Sequence, residues 1–149
     1  MRHLLFVLAL APLGLLAQTT AKPATGTAQK GIRWMTMEEA QAATKKAPKP
    51  LFVDVYTAWC GPCKMLDSRT FSDPRLAEYV NKHFYAVKFN AESGDPVTFK
   101  GQKLENPDFN PANTMGRNGT HHLTYAIANV NGRIAYPTVV YLDSDLNVL

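Results

Sequence analysis

The sequence contains little cysteine: only two of its 149 residues, Cys60 and Cys63. One pair cannot provide the several cross-links of a small disulfide-rich domain, so that class of protein is excluded. Three interpretations of the pair are left: a zinc half-site, an inert structural disulfide and a reversible dithiol. Zinc would need two further ligands from only four histidines. A ring with two intervening residues removes little entropy from the unfolded chain, so we favour the reversible dithiol.

The sequence also lacks a clustered basic patch. Sixteen Lys and Arg residues against twelve Asp and Glu residues give a formal charge of +4, and the basic residues are scattered. The largest local excess is Lys45, Lys46 and Lys49, at the end of a predicted helix. Cations at this position complement the helix dipole. The pattern therefore favours a solvated helix end over a nucleic-acid partner.

No apolar run is long enough to cross a membrane comfortably. The run Leu4–Leu16 follows a short basic start and precedes small residues at Ala17 and Ala21. This arrangement is typical of a signal peptide, which we predict over residues 1–17 with cleavage at Ala17 or as late as Ala21. A flexible linker is expected over residues 18–31. The mature protein is then expected to be periplasmic or secreted.

The two cysteines follow a strongly patterned stretch of chain. Residues 51–56 are apolar, rich in Val and aromatic side chains, and interrupted only by Asp54, which predicts a buried strand. Pro62 is tolerated in the first turn of a helix, where its missing N–H has no partner to lose. Cys60 is therefore expected at a helix start, where free backbone N–H groups favour the reactive thiolate.

The segment Trp59-Cys-Gly-Pro-Cys-Lys64, after a strand that carries Asp54, resembles the active-site segment of thioredoxins. Two downstream segments strengthen the resemblance. Tyr136-Pro137-Thr138 is similar to the loop of that family that contains a cis-proline, and Lys88-Phe-Asn90 is similar to the strand whose lysine approaches the buried Asp. Residues 70–74 are also similar to the periplasmic C-terminal domain of membrane-embedded thiol reductant carriers.

This resemblance implies a role for each residue. Cys60 is expected to be the exposed nucleophile and Cys63 the resolving thiol of a redox-active Cys60–Cys63 disulfide. Asp54 is expected to accept the proton of Cys63, because burial raises the pKa of a carboxyl group, and Lys88 to moderate Asp54. The expected substrate-binding residues are Trp59, Gly61, Pro62, Tyr136, Pro137 and Thr138.

A short first strand is expected over residues 32–34, and Thr36 with Glu39 three residues later predicts a capping box at the start of the next helix. The order strand, helix, strand, helix, strand is typical of an α/β layer with parallel central strands. The resemblance implies a thioredoxin-like fold over residues 32–149, with a central mixed sheet flanked by helices. Residues 92–118 have few apolar side chains and are predicted to be an irregular insertion, which either shapes substrate access or is a surface excursion. The family's last strand and closing helix have no counterpart here, so we expect a C-terminally incomplete domain.

Two short motifs around the end of the insertion have alternative interpretations. His121 and His122 are expected to open a short helix, where adjacent side chains point in different directions, so a metal site is disfavoured. Asn118-Gly-Thr120 matches the acceptor pattern for glycosylation, which matters only in a eukaryotic secretory host.

The pair Gly61-Pro62 between the cysteines is what reducing members of the family carry. We therefore expect an exported enzyme that reduces protein disulfides and receives electrons from a membrane or soluble thiol donor. No cofactor is expected, because the dithiol is itself the redox group, and a monomer is expected. The alternatives are a disulfide isomerase or oxidase, or a binding or chaperone-like module without enzymatic activity.

Overall fold

The computed structural model describes residues 31–114 and 116–149, so the predicted signal peptide and nearly all of the linker lie outside the described residues. The described chain forms six strands and four α-helices. In chain order these are β1 (Trp34–Met35), α1 (Met37–Lys46), β2 (Leu51–Tyr56), α2 (Gly61–Leu66), α3 (Pro74–His83), β3 (Tyr85–Asn90), β4 (Val97–Phe99), β5 (Gln102–Leu104), α4 (His122–Ala128) and β6 (Thr138–Leu142). A π-helical segment, Asp67–Phe71, joins α2 to α3.

Four strands form a mixed sheet in the order β1-β3-β2-β6. Strand β3 runs parallel to both β1 and β2, whereas β6 runs antiparallel to β2. The predicted α/β class, with a central mixed sheet flanked by helices, is confirmed. Because β2 has a neighbour on each side, the loop that follows it is held at the centre of one edge of the sheet.

Alternate side chains of β2 enter two different cores. Leu51, Val53 and Val55 pack with α1, α4 and the hairpin β4–β5 in the larger core. Phe52 faces the opposite side, where it packs with Phe71 and with residues of α3. Burial on both faces explains why β2 is an almost unbroken apolar run. The exception is Asp54, which shares the Phe52 face of the strand.

The helix boundaries follow the capping signals. Thr36 accepts from the backbone N–H of Glu39, and the Glu39 carboxylate accepts from the N–H of Thr36, so the predicted capping box of α1 is formed. Helix α3 begins with Pro74 after Asp73, whose carboxylate caps the first turn. His121 caps α4.

The structure corrects two details of the sequence analysis. The first strand, expected over residues 32–34, lies at Trp34–Met35. The region 92–118 is not irregular throughout, because it contains the hairpin β4–β5, whose Val97 and Phe99 are buried in the larger core. Two alternating apolar residues between turn signals were too short a pattern to predict this hairpin. No described helix has the length and apolar character needed to cross a membrane.

Candidate active site

Cys60 and Cys63 are joined by a disulfide at the start of α2. Their Cα atoms are 5.3 Å apart and the S–S bond is 2.04 Å long. Cys60 is the N-cap of the helix, and its Sγ accepts from the backbone N–H of Cys63 at 3.1 Å. The central position of β2 and the early start of α2 therefore hold the sulfur of Cys60 against an otherwise unpaired helical N–H group.

The accessibility of Cys60 differs from the expectation. In the disulfide form only 2% of Cys60 and 5% of Cys63 are exposed, so the predicted exposure of the nucleophile is wrong for this state. The neighbouring residues Gly61 and Pro62 are exposed, and 38% of Trp59 is exposed. A partner therefore meets the turn residues and the indole ring before it reaches sulfur.

A buried carboxyl group lies on the same face of the sheet as α2. Asp54 is 2% exposed, and its Oδ1 has no hydrogen-bond partner among the described residues. Lys88 stands beside it in register on β3, with Nζ 3.8 Å from Asp54 Oδ2. The predicted pairing of Asp54 with Lys88 is thus present as a long contact.

Lys88 also makes a closer contact that the sequence analysis missed. Its Nζ forms a salt bridge with Asp67, which opens the π-helical segment after α2. The ammonium group additionally lies over the rings of Trp34 and Tyr56, 5.4 and 5.2 Å from their centroids. Lys88 is therefore shared between two carboxylates, and Asp54 receives only part of its charge.

The electrostatic result is a carboxyl group with an unusual pKa. Burial raises the pKa of Asp54 from 3.8 to about 6, because desolvation outweighs the attraction of Lys88. The negative charge of Asp67 acts in the same direction as burial. Asp54 can thus exchange a proton near neutral pH, as a base for a buried thiol must.

Trp59 is held by groups from outside the motif. Its indole Nε1–H donates to both carboxylate oxygens of Glu92, at 3.0 and 2.9 Å, and Glu92 is itself buried. The ring of Tyr136 meets the indole edge to face, with centroids 6.0 Å apart. The guanidinium carbon of Arg117 lies 5.0 Å from the centroid of the indole ring. Sequence reasoning identified neither Glu92 nor Arg117.

The loop that resembles the cis-proline loop lies next to this indole. The Tyr136–Pro137 peptide bond is cis. Thr138 begins β6 and pairs with Val55 of β2, so the loop reaches the edge of the sheet from which the cysteines project. Burial raises the pKa of Tyr136 above its usual value. The structure therefore places Tyr136 against Trp59, the residue before Cys60, and pairs Asp54 and Lys88 in register on the two central strands.

His121 makes structural contacts at the start of α4. His121 is fully buried, its Nδ1 accepts from the N–H of Leu123, and its Nε2 lies 3.2 Å from the carbonyl oxygen of Asp95. Among the described residues no cluster of His, Cys, Asp and Glu has the arrangement of a metal site. Asn118, in the glycosylation pattern, donates through its side chain to the carbonyls of Asn110 and Asn113.

Comparison with known proteins places this geometry in a family. A family model described as Thioredoxin-like matches residues 33–144. The chain belongs to the thioredoxin-like family. A solved structure titled as a putative disulphide-isomerase from Bacteroides thetaiotaomicron is 29% identical, with a TM-score of 0.51 over 80% of this chain and 77% of that one. A structure titled DsbH Oxidoreductase has a TM-score of 0.55 at 15% identity over 87% of this chain and 78% of its own, and supports the fold alone.

Curated relatives match a shorter stretch of this thioredoxin-like protein. The Thiol:disulfide interchange protein DsbD of Pectobacterium atrosepticum is 32% identical over 66 residues, or 40% of this chain and 11% of the relative. The DsbD of Vibrio vulnificus is 37% identical over 54 residues, 34% of this chain and 9% of the relative. The match spans about a tenth of these relatives' length. This member of the thioredoxin-like family thus carries a Cys60–Cys63 disulfide pair.

Proposed function

We propose that this protein reduces disulfide bonds in other proteins through Cys60 and Cys63. The observation that carries the proposal is the Cys60–Cys63 disulfide at the start of α2, with Cys60 Sγ accepting from the N–H of Cys63. The same N–H group stabilises a thiolate once the disulfide is reduced, since a backbone donor favours the charged form of its acceptor. Cys60 is therefore the nucleophile and Cys63 the resolving thiol.

The reaction proceeds in two exchanges. The Cys60 thiolate attacks one sulfur of the substrate disulfide, a mixed disulfide forms, and the other substrate sulfur leaves as a thiolate that takes a proton. Cys63 then attacks the Cys60 sulfur and releases the second substrate thiol. Two electrons have passed to the substrate, and the protein is left with its own disulfide, the state seen here. A thiol donor must then restore the dithiol.

Asp54 serves the second exchange. Cys63 is buried and must lose its proton before it attacks, and Asp54 lies on the α2 face of the sheet with a pKa of about 6. A carboxylate with this pKa is a competent proton acceptor at neutral pH. Lys88 limits the rise of the Asp54 pKa by its positive charge, and Asp67 limits the influence of Lys88 by competing for it.

The substrate is proposed to bind around the turn that contains the cysteines. Gly61 and Pro62 are exposed, Trp59 is partly exposed, and Tyr136, Pro137 and Thr138 line the adjacent edge of the sheet. An extended substrate segment placed there would bring its disulfide to Cys60. The predicted signal peptide at residues 1–17 supports a periplasmic or secreted location.

The direct test is reduction of insulin by the pre-reduced protein. We expect disulfide cleavage with the wild type and none above background with Cys60→Ser. With Cys63→Ser we expect a trapped mixed disulfide, detected as a mass increase. Activity that survives Cys60→Ser would overturn the assignment of the nucleophile.

Isomerisation is the second candidate, because the similar structure from Bacteroides thetaiotaomicron carries a title that names a putative disulphide-isomerase. The two activities differ in their need for a donor. A reductase consumes one dithiol for each substrate disulfide, whereas an isomerase restores activity to scrambled ribonuclease without net consumption. Efficient unscrambling without a donor would favour the isomerase.

A further inference from the structure

We propose that Arg117 is a substrate-recognition residue that selects disulfide-bearing partners with acidic side chains next to the reacting cysteine. This inference rests on the proposed disulfide exchange and adds the chemistry of the partner. Arg117 lies in the polar loop 105–120 that follows the hairpin β4–β5, far in sequence from the cysteines. Its guanidinium carbon nevertheless lies 5.0 Å from the centroid of the Trp59 ring, next in sequence to Cys60.

The charge of Arg117 is available to a partner. Arg117 is exposed, and no carboxylate oxygen of the described residues lies within the 4 Å that defines a salt bridge from its guanidinium nitrogens. Stacking on an indole face leaves the N–H donors at the rim of a guanidinium group free for a carboxylate. A partner that docks on the indole therefore meets the N–H donors of the Arg117 guanidinium group, which no carboxylate of the described residues pairs with.

The acidic groups near the cysteines are engaged elsewhere and form no ion pair with Arg117 among the described residues. Glu92 is buried and both of its oxygens accept from Trp59, and Asp67 is paired with Lys88. The exposed charge beside the indole is therefore that of Arg117. Lys64, exposed one helical turn after Cys60, has the same sign. The surface around the disulfide thus complements an acidic segment.

The loop holds Arg117 in place through hydrogen bonds. The carbonyl oxygen of Arg117 accepts from the side-chain amide of Asn113 at 2.7 Å. The next residue, Asn118, accepts from the N–H of Asn110 and donates to two carbonyl groups, those of Asn110 and Asn113. An arginine on a mobile loop would lose much of its binding energy to ordering, and this loop reduces that loss.

The experiment compares two peptides that contain the same intramolecular disulfide, one flanked by Asp and Glu and the other by Lys. Second-order rate constants for mixed-disulfide formation are measured with Cys63→Ser protein carrying Arg117, Arg117→Gln, Arg117→Lys or Arg117→Glu. We expect a preference for the acidic peptide with Arg117. Arg117→Gln should lower the acidic-peptide rate about three- to tenfold, Arg117→Lys should retain most of it, and Arg117→Glu should reverse the preference.

Two controls separate recognition from other effects. Lys45→Glu, in the last turn of α1, makes the same charge change as Arg117→Glu and should leave the preference intact. Hydroxyethyl disulfide, which is small and neutral, should react within twofold of the same rate in all variants. The peptide preference should also shrink as salt is raised from low to about 0.5 M, because exposed charges are screened.

Three results would overturn the inference. They are an equal loss of rate with hydroxyethyl disulfide, a Lys45→Glu effect as large as that of Arg117→Glu, and equal rates for the acidic and basic peptides with Arg117. If the wild type cleaves no disulfide, the proposed function fails instead. The inference is then tested separately by a binding measurement. A cysteine-free acidic peptide should then still shift the Trp59 indole N–H resonance with Arg117 and not with Arg117→Gln. An unchanged resonance would overturn the inference in that case.

Discussion

Two neighbouring regions of this protein reach the same surface by different physical means. The segment 51–66 positions the disulfide with a strand buried on both faces and a short helix whose N-cap is Cys60. The segment 105–120 is a polar loop beside it, and asparagine side chains hold that loop through hydrogen bonds. The first depends on apolar burial, which is non-directional and robust. The second depends on hydrogen bonds, which fail when one partner is removed.

The insertion itself contains both kinds of construction. Its first half, the hairpin β4–β5, anchors Val97 and Phe99 in the larger core. In its second half, Gly119 has a φ of +71°, and a Cβ there would lie 2.5 Å from Asn106 Oδ1. Such a close approach of backbone to a side chain requires glycine. We therefore expect substitutions in the second half to loosen the loop while the hairpin stays in place.

The largest effect is expected inside the apolar region, from Asp54→Asn. The folded-state pKa of Asp54 is about 6 against 3.8 in the unfolded chain, so the folded state binds the proton more tightly. Stability is then lost as pH rises from about 4 to 6, by about 3 kcal/mol at pH 8. Asp54→Asn should remove this loss and raise the free energy of unfolding at pH 8 by up to that amount. Denaturant titrations at pH 4.5 and 8 measure it.

The same substitution should slow catalysis. Without the carboxylate, Cys63 lacks its proton acceptor, so decay of the mixed disulfide should slow by at least about tenfold while its formation changes little. Stopped-flow traces separate the two steps. The exposed Asp145→Asn is the control and should alter neither the pH profile nor the rates. A loss confined to the first step would contradict the role of Asp54.

The next largest effect is expected in the polar loop, from Asn118→Ala. Three hydrogen bonds disappear, which should lower the free energy of local opening by about 1–3 kcal/mol. Amide hydrogen exchange should accelerate over residues 106–119 and stay unchanged in β2. The exposed Asn129→Ala should leave exchange in the loop as it is. Unchanged protection in the loop after Asn118→Ala would show that the asparagine does not hold it.

The contrast between these regions also explains which elements and contacts could be predicted from the sequence. The β2 strand, the start of α2 and the capping box of α1 follow local patterns, because apolar runs and capping residues act over a few positions. A place for Tyr136 and Pro137 beside Cys60 was expected only from the family resemblance, and the structure shows Tyr136 against the neighbouring Trp59. Contacts of Trp59 with Glu92 and Arg117 depend on the path of an insertion, and no local pattern encodes that path.

Asp67 was missed for a related reason. Its pairing with Lys88 joins the end of α2 to β3, across 21 residues, and depends on the π-helical segment that starts there. The signal that points to it is indirect: an acidic residue one helical turn after Cys63, on the face that packs against the sheet. The hairpin β4–β5 was missed because its strands have three residues each, too few for periodicity to be read.

A smaller effect is expected at His121, where the insertion meets α4. Nδ1 accepts from Leu123, so Nε2 carries the proton and donates to the Asp95 carbonyl. Burial lowers the pKa of His121 below 6.5, so the unfolded chain binds this proton more tightly. Stability should therefore fall as pH drops below about 6.5, opposite in sign to the Asp54 contribution. The free energy of unfolding is measured against pH in the Asp54→Asn background, with and without His121→Gln. The glutamine should abolish the decrease in stability at low pH. A decrease that persists would come from another group.

The smallest effect is expected where the hairpin meets α1, from Gln41→Ala. The Gln41 side chain donates to the carbonyl of Thr98 and accepts from the N–H of Lys100, so it continues the pairing of β4 at its free edge. The substitution removes these two exposed hydrogen bonds and a third to the Met37 carbonyl within α1. The loss should cost about 1 kcal/mol, because water replaces the exposed partners. Val97 and Phe99 remain buried, so the hairpin should stay attached. Exchange should rise modestly at Lys100 and little in the loop 106–119, and detachment of the whole hairpin would show that burial alone does not hold it.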